Sequence, residues 1–239
     1  MNWDELIEQR NWKRVKSLLL ADHSREQTHK SVGYILNLME RNDVEAVGSL
    51  LNIVEHWRLL PYSSLECKNY VVGSIRRPHE DTKIAMLETV LKNSSAARTW
   101  CEKNTETFLQ HLINLGSPQI FDHYYGQFNL DSQQHYRLLT FALHSKNMNA
   151  FKILFSDDAK DPTGDLLARA CREEFLDLVD YLIPYSNTQK AYTILWNEHS
   201  RDIGLKAIDC LNGCVSARQR QTLQQSLGHT GVLSAQKKM

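Results

Sequence analysis

Apolar residues recur along the chain in short stripes with the period of an α-helix. The stretch Asp165–Ile183 predicts two short antiparallel helices, because its apolar residues form two such stripes separated by the polar residues 172–174. Pro184 ends the second helix, since proline lacks a backbone N–H. Helices of about two or three turns are unstable alone, so each must pack against neighbours. The two stripes are Leu166, Leu167, Ala170 and Cys171, followed by Leu178, Val179, Leu182 and Ile183.

The same two-helix pattern recurs along most of the chain. Val179 and Leu182 mark the second helix, and equivalent pairs follow one another at spacings of about 28 to 40 residues. The turn position held by Glu174 falls on Asn42 and Gly116 in two other copies, and these residue types tolerate a left-handed backbone best. We therefore expect an all-α solenoid of about seven helix-turn-helix repeats. The other pairs are Val15/Leu18, Val47/Leu50, Leu87/Val90, Phe121/Tyr124, Phe151/Leu154 and Ile208/Leu211.

This pattern resembles the ankyrin repeat family over roughly residues 3–214, in a degenerate form. The features that survive are Thr107 with Leu109, Gly116 in the turn and the Val179-x-x-Leu182 pair. The family's Thr-Pro-Leu-His box is missing, which leaves open whether the loops between repeats form β-hairpins or plain loops. A generic α-solenoid of helix pairs is the alternative interpretation.

The repeat spacing predicts a single ankyrin-like domain over residues 1–227, followed by a disordered tail at 228–239. It also predicts insertions near residues 52–68 and 92–104. The first insertion carries Trp57 and Arg58, which either fill a gap between unequal repeats or anchor a partner. In the second insertion, Ser95 is expected to cap a short helix with Trp100 on one face.

Charge and cysteine content narrow the class of protein. The 239-residue chain has 28 Lys and Arg and 28 Asp and Glu, and this zero net charge argues against nucleic acid as the main partner. Without a long apolar run or a signal-peptide core, the sequence predicts no membrane association and a cytoplasmic location. The five cysteines lack CxxC spacing, so we expect free thiols. Cys210 and Cys214 lie one helical turn apart but lack further ligands nearby, so no metal site is predicted.

The sequence contains none of the common catalytic motifs. It lacks the Walker loop, GxSxG, HExxH and GxGxxG, so we expect a non-enzymatic protein without a cofactor. An enzyme whose site is assembled from scattered residues on a helical scaffold stays an alternative.

A stack of helix pairs instead offers a surface. Residues opposite the core stripe of each first helix should line one concave face, and Glu40 is one of these residues. Phe141 is expected to face outward there beside Arg137 and Arg169, although a small change of helix phase would bury it. The predicted partner-binding residues are Phe141, Arg137, His144, Arg169, Arg172, His111, Trp57 and Arg58.

These features predict a protein-binding repeat scaffold that is monomeric. The family resemblance implies an adaptor or inhibitor, including virus- or pathogen-encoded proteins that act by occluding a host protein. One alternative is a helical-repeat nucleic-acid-binding protein that uses Arg137, Arg169, Arg172 and the basic tail. Homo-oligomerisation through the Trp57 insertion is a further alternative.

Overall fold

A computed structural model describes residues 3–21, 25–56, 64–76, 80–115, 117–155, 160–198 and 202–218. All regular elements in these ranges are α-helices, which confirms the all-α prediction, and an isolated parallel bridge joins Asp161 and Ser186. The contacts divide the chain into two compact units, Met1–Asn129 and Leu130–Met239, called here the N-terminal and C-terminal units. Trp57, Arg58 and the tail at 228–239 lie outside the described residues.

In the N-terminal unit, helices packed against each other are close neighbours in the sequence. Helix α4 packs against α2 and α6, while α3 packs against α4 and α5, and α5 packs against α6 and α7. The helices in the described part of this unit are α1 (Trp3–Glu8), α2 (Trp12–Ala21), α3 (Arg25–Glu40), α4 (Val44–His56), α5 (Ser64–Ile75), α6 (Glu80–Asn93), α7 (Ser95–Lys103), α8 (Thr105–Asn114) and α9 (Pro118–Tyr125).

The C-terminal unit is built in the same way. Helix α12 packs against α10, α13 and α14, and α10 packs against α11. Its described helices are α10 (Ser132–His144), α11 (Met148–Leu154), α12 (Asp165–Arg172), α13 (Leu176–Leu182), α14 (Thr188–Trp196) and α15 (residues 202–218).

The apolar pairs that the sequence pattern identified form part of the core. Every residue of the seven second-helix pairs is buried except Leu18, which is half-buried. The first-helix stripe of α12 is buried as well, from Leu166 to Cys171. Because burying one such aliphatic or aromatic side chain contributes about 1.5–3 kcal/mol, these pairs are the main reason why such short helices are stable.

The same turn recurs between the two helices of four pairs. Arg10, Asn42, Lys146 and Glu174 each have φ between 50° and 57°. In every case the amide of the left-handed residue bonds the carbonyl three residues earlier, and the next amide bonds the carbonyl five residues before it. The predicted left-handed turn is thus confirmed at Asn42 and Glu174, whereas Gly116 lies outside the described residues.

The residue after this turn often caps the second helix. The side chains of Asn11, Asp43 and Asn147 accept hydrogen bonds from the backbone amides three residues later, at 3.0–3.2 Å. One short polar segment therefore ends one helix and begins the next, which fixes the helix pair locally.

Helix α7 occupies most of the predicted second insertion, and its cap differs from the expected one. The N-cap is Ser94 rather than Ser95, and its hydroxyl accepts a hydrogen bond from the amide of Ala97 at 3.1 Å. Ser94 in turn donates to the carboxylate of Glu55 on α4 at 2.5 Å. Trp100 is 7% exposed, so this residue belongs to the core of the N-terminal unit.

In the C-terminal unit, a buried carboxylate holds the loop before α12. Asp161 accepts hydrogen bonds from the hydroxyl of Thr163 and from the amide of Leu167, both at 3.1 Å. Gly164 follows with φ +72°, and an added Cβ would lie 2.5 Å from the backbone nitrogen of Ala191. Glycine is required here both by the left-handed backbone and by the close approach of α14.

Candidate functional site

A pocket of about 440 Å³ lies between α3, α5 and α8 in the N-terminal unit. Helix α5 supplies most of its wall, since five of its residues, continued by Arg76 directly after its end, follow one another at spacings of three and one along a single helical face. These residues are Leu65, Lys68, Asn69, Val72, Gly73 and Arg76; Leu36, Met39 and Glu40 of α3 and His111 of α8 complete the lining.

The floor of the pocket is apolar. Met39 is buried, and Leu36 and Val72 are half-buried. Gly73 keeps the floor open, because a Cβ at this position would lie 3.3 Å from the sulfur of Met39. Leu65 is 64% exposed and lies at the rim, where a partner can reach it.

Two cations, Lys68 and Arg76, line this pocket. Within the described part of the chain, neither Lys68 nor Arg76 forms an ion pair. Glu40 also lines the pocket but is too far from both to pair with them. The local field of the two cations is therefore available to an anionic group from outside.

His111 lies beside these cations. Burial lowers the pKa of its imidazole, and the positive charges of Lys68 and Arg76 lower it further, so the ring is neutral at physiological pH. Its Nε2 is buried and has no hydrogen-bond partner among the described residues. His111 was predicted as a surface contact, whereas it is half-buried with one ring nitrogen left for a ligand.

Two of the three predicted arginines of the C-terminal unit, Arg169 and Arg172, are paired with carboxylates. Arg169 donates to Asp165 at 2.8 Å, and the hydroxyl of Tyr136 also donates to Asp165. Burial alone would raise the pKa of the Asp165 carboxyl, but the hydrogen bonds from Tyr136 and Arg169 together with nearby positive charge hold it below its ordinary value. Arg172 pairs with Glu198 at 3.1 Å.

The remaining predicted contacts of this unit lie close to these pairs in sequence. His144 lies 3.4 Å from Glu173, and its other ring nitrogen lies 2.8 Å from the carbonyl of Thr140. Phe141 is half-buried, between the two outcomes expected from the sequence, and Arg137 is exposed. The structure thus joins Arg169 to Asp165 and His144 to Glu173, while His111 belongs to the other unit.

A second, smaller pocket of about 350 Å³ lies between α14 and α15. Its lining includes Trp196, which is 66% exposed, and Leu205, which is 44% exposed. Sequence reasoning missed both this pocket and the α3–α5–α8 pocket. The only sequence signal for the second pocket was Trp196 near the end of a short helix. The sequence did not show that this side chain is exposed.

The cysteines of the C-terminal unit show no sign of activation. Cys171 and Cys210 interact through their thiols, as do Cys210 and Cys214. Burial is the main cause that raises the pKa of all three thiols, so they are protonated and weakly nucleophilic at neutral pH. Among the residues with described positions, no three His, Cys, Asp or Glu side chains form a group that could hold a metal ion.

None of the described helices combines the length and the apolar character needed to cross a bilayer. The chain matches no protein-family model, and no significant match was found among curated proteins or solved structures.

Proposed function

We propose that this chain is a non-enzymatic scaffold of degenerate ankyrin-like helix pairs that binds another protein at the α3–α5–α8 pocket. The observation that carries the proposal is that Lys68 and Arg76 form no ion pair with any described residue and lie beside an apolar floor formed around Met39 and Val72. Binding hot spots combine these two features, an apolar pocket and a few charged groups that fix the partner's orientation.

The repeated turn supports the scaffold part of the proposal. Four helix pairs share one left-handed turn and the same two backbone hydrogen bonds, as expected of structural repeats. A stack of such pairs presents surface rather than a deep enclosed cleft, which suits a protein that acts by binding. Inhibition by occlusion remains a prediction that follows from the resemblance, and cytoplasmic location remains a prediction from the absence of a long apolar run and a signal-peptide core in the sequence.

The charge pattern favours this pocket over the predicted arginine face. Arg169 and Arg172 are already paired with Asp165 and Glu198, so an external anion would have to compete with internal carboxylates. The same pairing weakens the nucleic-acid alternative, which needs unpaired cations along a face.

The proposal can be tested by site-specific photo-crosslinking in cells that produce the protein. We would replace Leu65 at the rim of the pocket, or Leu176 of α13, by p-benzoylphenylalanine. The two leucines are 64% and 58% exposed and form a matched pair, one beside the pocket and one in the C-terminal unit. We expect a discrete crosslinked protein from position 65 that disappears when Lys68→Gln and Arg76→Gln are added.

Two results would count against this proposal. Equal crosslinking from positions 65 and 176 would indicate unspecific contact. A discrete product from position 176 alone would move the binding surface to the C-terminal unit.

A further inference from the structure

The pocket has charge at both ends of one helical face and apolar groups between them. Lys68 and Val72 of α5 and Arg76, the residue directly after its end, follow one another at four-residue spacing, and the amide of Arg76 still bonds the carbonyl of Val72. The two cations therefore lie two helical turns apart, about 12 Å along the axis. The midpoint between them is apolar, because Val72 and Gly73 lie there and Met39 faces them from α3.

We propose that the occupant of this pocket is an acidic amphipathic helix of the partner protein, with one apolar side chain on the Met39–Val72 floor and a carboxylate toward each of Lys68 and Arg76. This inference rests on the proposed function and specifies the chemistry of the partner. Its sequence signature is an acidic residue, an apolar residue one turn later, and a second acidic residue after a further turn. A helix laid along α5 would present these three side chains on a single face.

The apolar floor argues for a peptide rather than a small anion. A phosphate group could reach Lys68 or Arg76, but it would leave the exposed apolar surface of Leu36 and Val72 uncovered. An amphipathic segment covers the floor and places its charges at the two cations.

His111 adds a polar contact at one side. Its ring is neutral at physiological pH, and its buried Nε2 has no partner among the described residues. A neutral imidazole can donate to a carboxylate or accept from an amide of the segment, so it favours a polar backbone or side chain at this edge.

The test uses fluorescence anisotropy with the full chain and a labelled helical peptide of about 15 residues. The parent peptide carries Glu, Leu and Glu at the three positions, with Ala and Gln elsewhere. Two matched peptides carry Gln in place of both Glu, or Ser in place of the Leu. We expect each change to weaken binding by at least about tenfold, since each removes one of the two matched features. Equal binding of all three peptides would overturn the inference.

Protein variants locate the site. Lys68→Glu/Arg76→Glu should abolish binding of the parent peptide and should bind a peptide with Lys in place of both Glu. The control Lys13→Glu/Lys103→Glu has the same change in net charge at two exposed lysines of α2 and α7, outside the pocket lining, and should bind like the wild type. Thermal melting verifies that each variant is folded. Loss of binding in the control as well would show that net charge alone attracts the peptide.

A competition arm separates a peptide site from a phosphate site. Inorganic phosphate and chloride are compared at equal ionic strength, so that general screening is the same. We expect them to displace the peptide equally, and stronger displacement by phosphate would overturn the inference in favour of a phosphate site. If the crosslink at position 65 depends on Lys68 and Arg76 while the peptides bind equally, the proposed function stands and the partner's chemistry is wrong.

Discussion

The candidate binding cations of the two units differ in their ion pairing. In the C-terminal unit, Arg169 and Arg172 are paired with carboxylates. In the N-terminal unit, Lys68 and Arg76 line a pocket without an ion-pair partner among the described residues. The contrast teaches that the number of arginines on a face is a poor guide to a binding site. A cation already held by an internal carboxylate offers little to a partner.

The largest difference in stability between the two units should appear when one glycine in each unit is replaced by alanine. Gly164→Ala should lower the free energy of unfolding by about 3 kcal/mol or more, because the new Cβ meets the backbone at Ala191 and the backbone is left-handed. Gly73→Ala should change it by less than about 1 kcal/mol, since the flexible Met39 side chain can yield and alanine favours the helix.

Urea denaturation gives the free energies, and hydrogen exchange locates the effect. Protection should fall in the C-terminal unit of Gly164→Ala, around α12 and α14. Equal stability of the two alanine variants would show that α14 does not approach the loop as closely as described.

Removing charged groups should change the free energy of unfolding by a smaller amount, and the change should differ between the two units. Asp165→Asn should cost about 1 kcal/mol, because this carboxylate accepts hydrogen bonds from Arg169 and Tyr136. Lys68→Gln/Arg76→Gln should change stability by no more than about 0.5 kcal/mol, because neither cation forms an ion pair with a residue that the structure describes.

The stabilisation that the Asp165 carboxylate contributes should decrease as the pH falls. The pKa of its carboxyl is below the ordinary value in the folded protein, so its stabilisation is present at neutral pH and is lost as the pH falls through the folded pKa. Urea midpoints of wild type and Asp165→Asn should therefore converge below about pH 4. A constant difference at all pH values would contradict the assigned ion pair.

The smallest expected effect is that of His111. The pKa of its imidazole is lower in the folded protein than in the unfolded chain, so the unfolded chain binds more protons and stability decreases as the pH falls below about 6.5. Comparing urea midpoints at pH 7.5 and 5.5, we expect a larger decrease for wild type than for His111→Gln. An equal decrease in both would show that other groups carry the pH dependence.

Local patterns in the sequence were enough to predict the helices and the apolar pairs in their core. The second-helix pairs, such as Phe151 with Leu154, were found by period alone because amphipathic periodicity reflects burial directly. The left-handed turns at Asn42 and Glu174 were also found from their position after the first stripe. The capping residues after the turns, such as Asn147, were a further local signal that could have been used.

The pocket required tertiary information. Helix α5 has one buried face, which includes Tyr70 and Val71, and a second face that lines the pocket. A sequence pattern cannot show that α3 and α8 lie beside this second face, or that Lys68 and Arg76 form no ion pair within the described ranges. The requirement for glycine at position 164 could not be predicted for the same reason, because it depends on Ala191, which is far away in the sequence.

The most direct test of the contrast is quantitative affinity capture from cells that make the protein. Three immobilised forms would be compared: wild type, Lys68→Gln/Arg76→Gln and Arg169→Gln/Arg172→Gln, each checked by thermal melting. The two variants lose the same charge, one pair from each unit. The account predicts a specific partner that the first variant loses by about tenfold or more and that the second retains within about twofold. Loss with the second variant and retention with the first would contradict it and return the binding site to the arginine face.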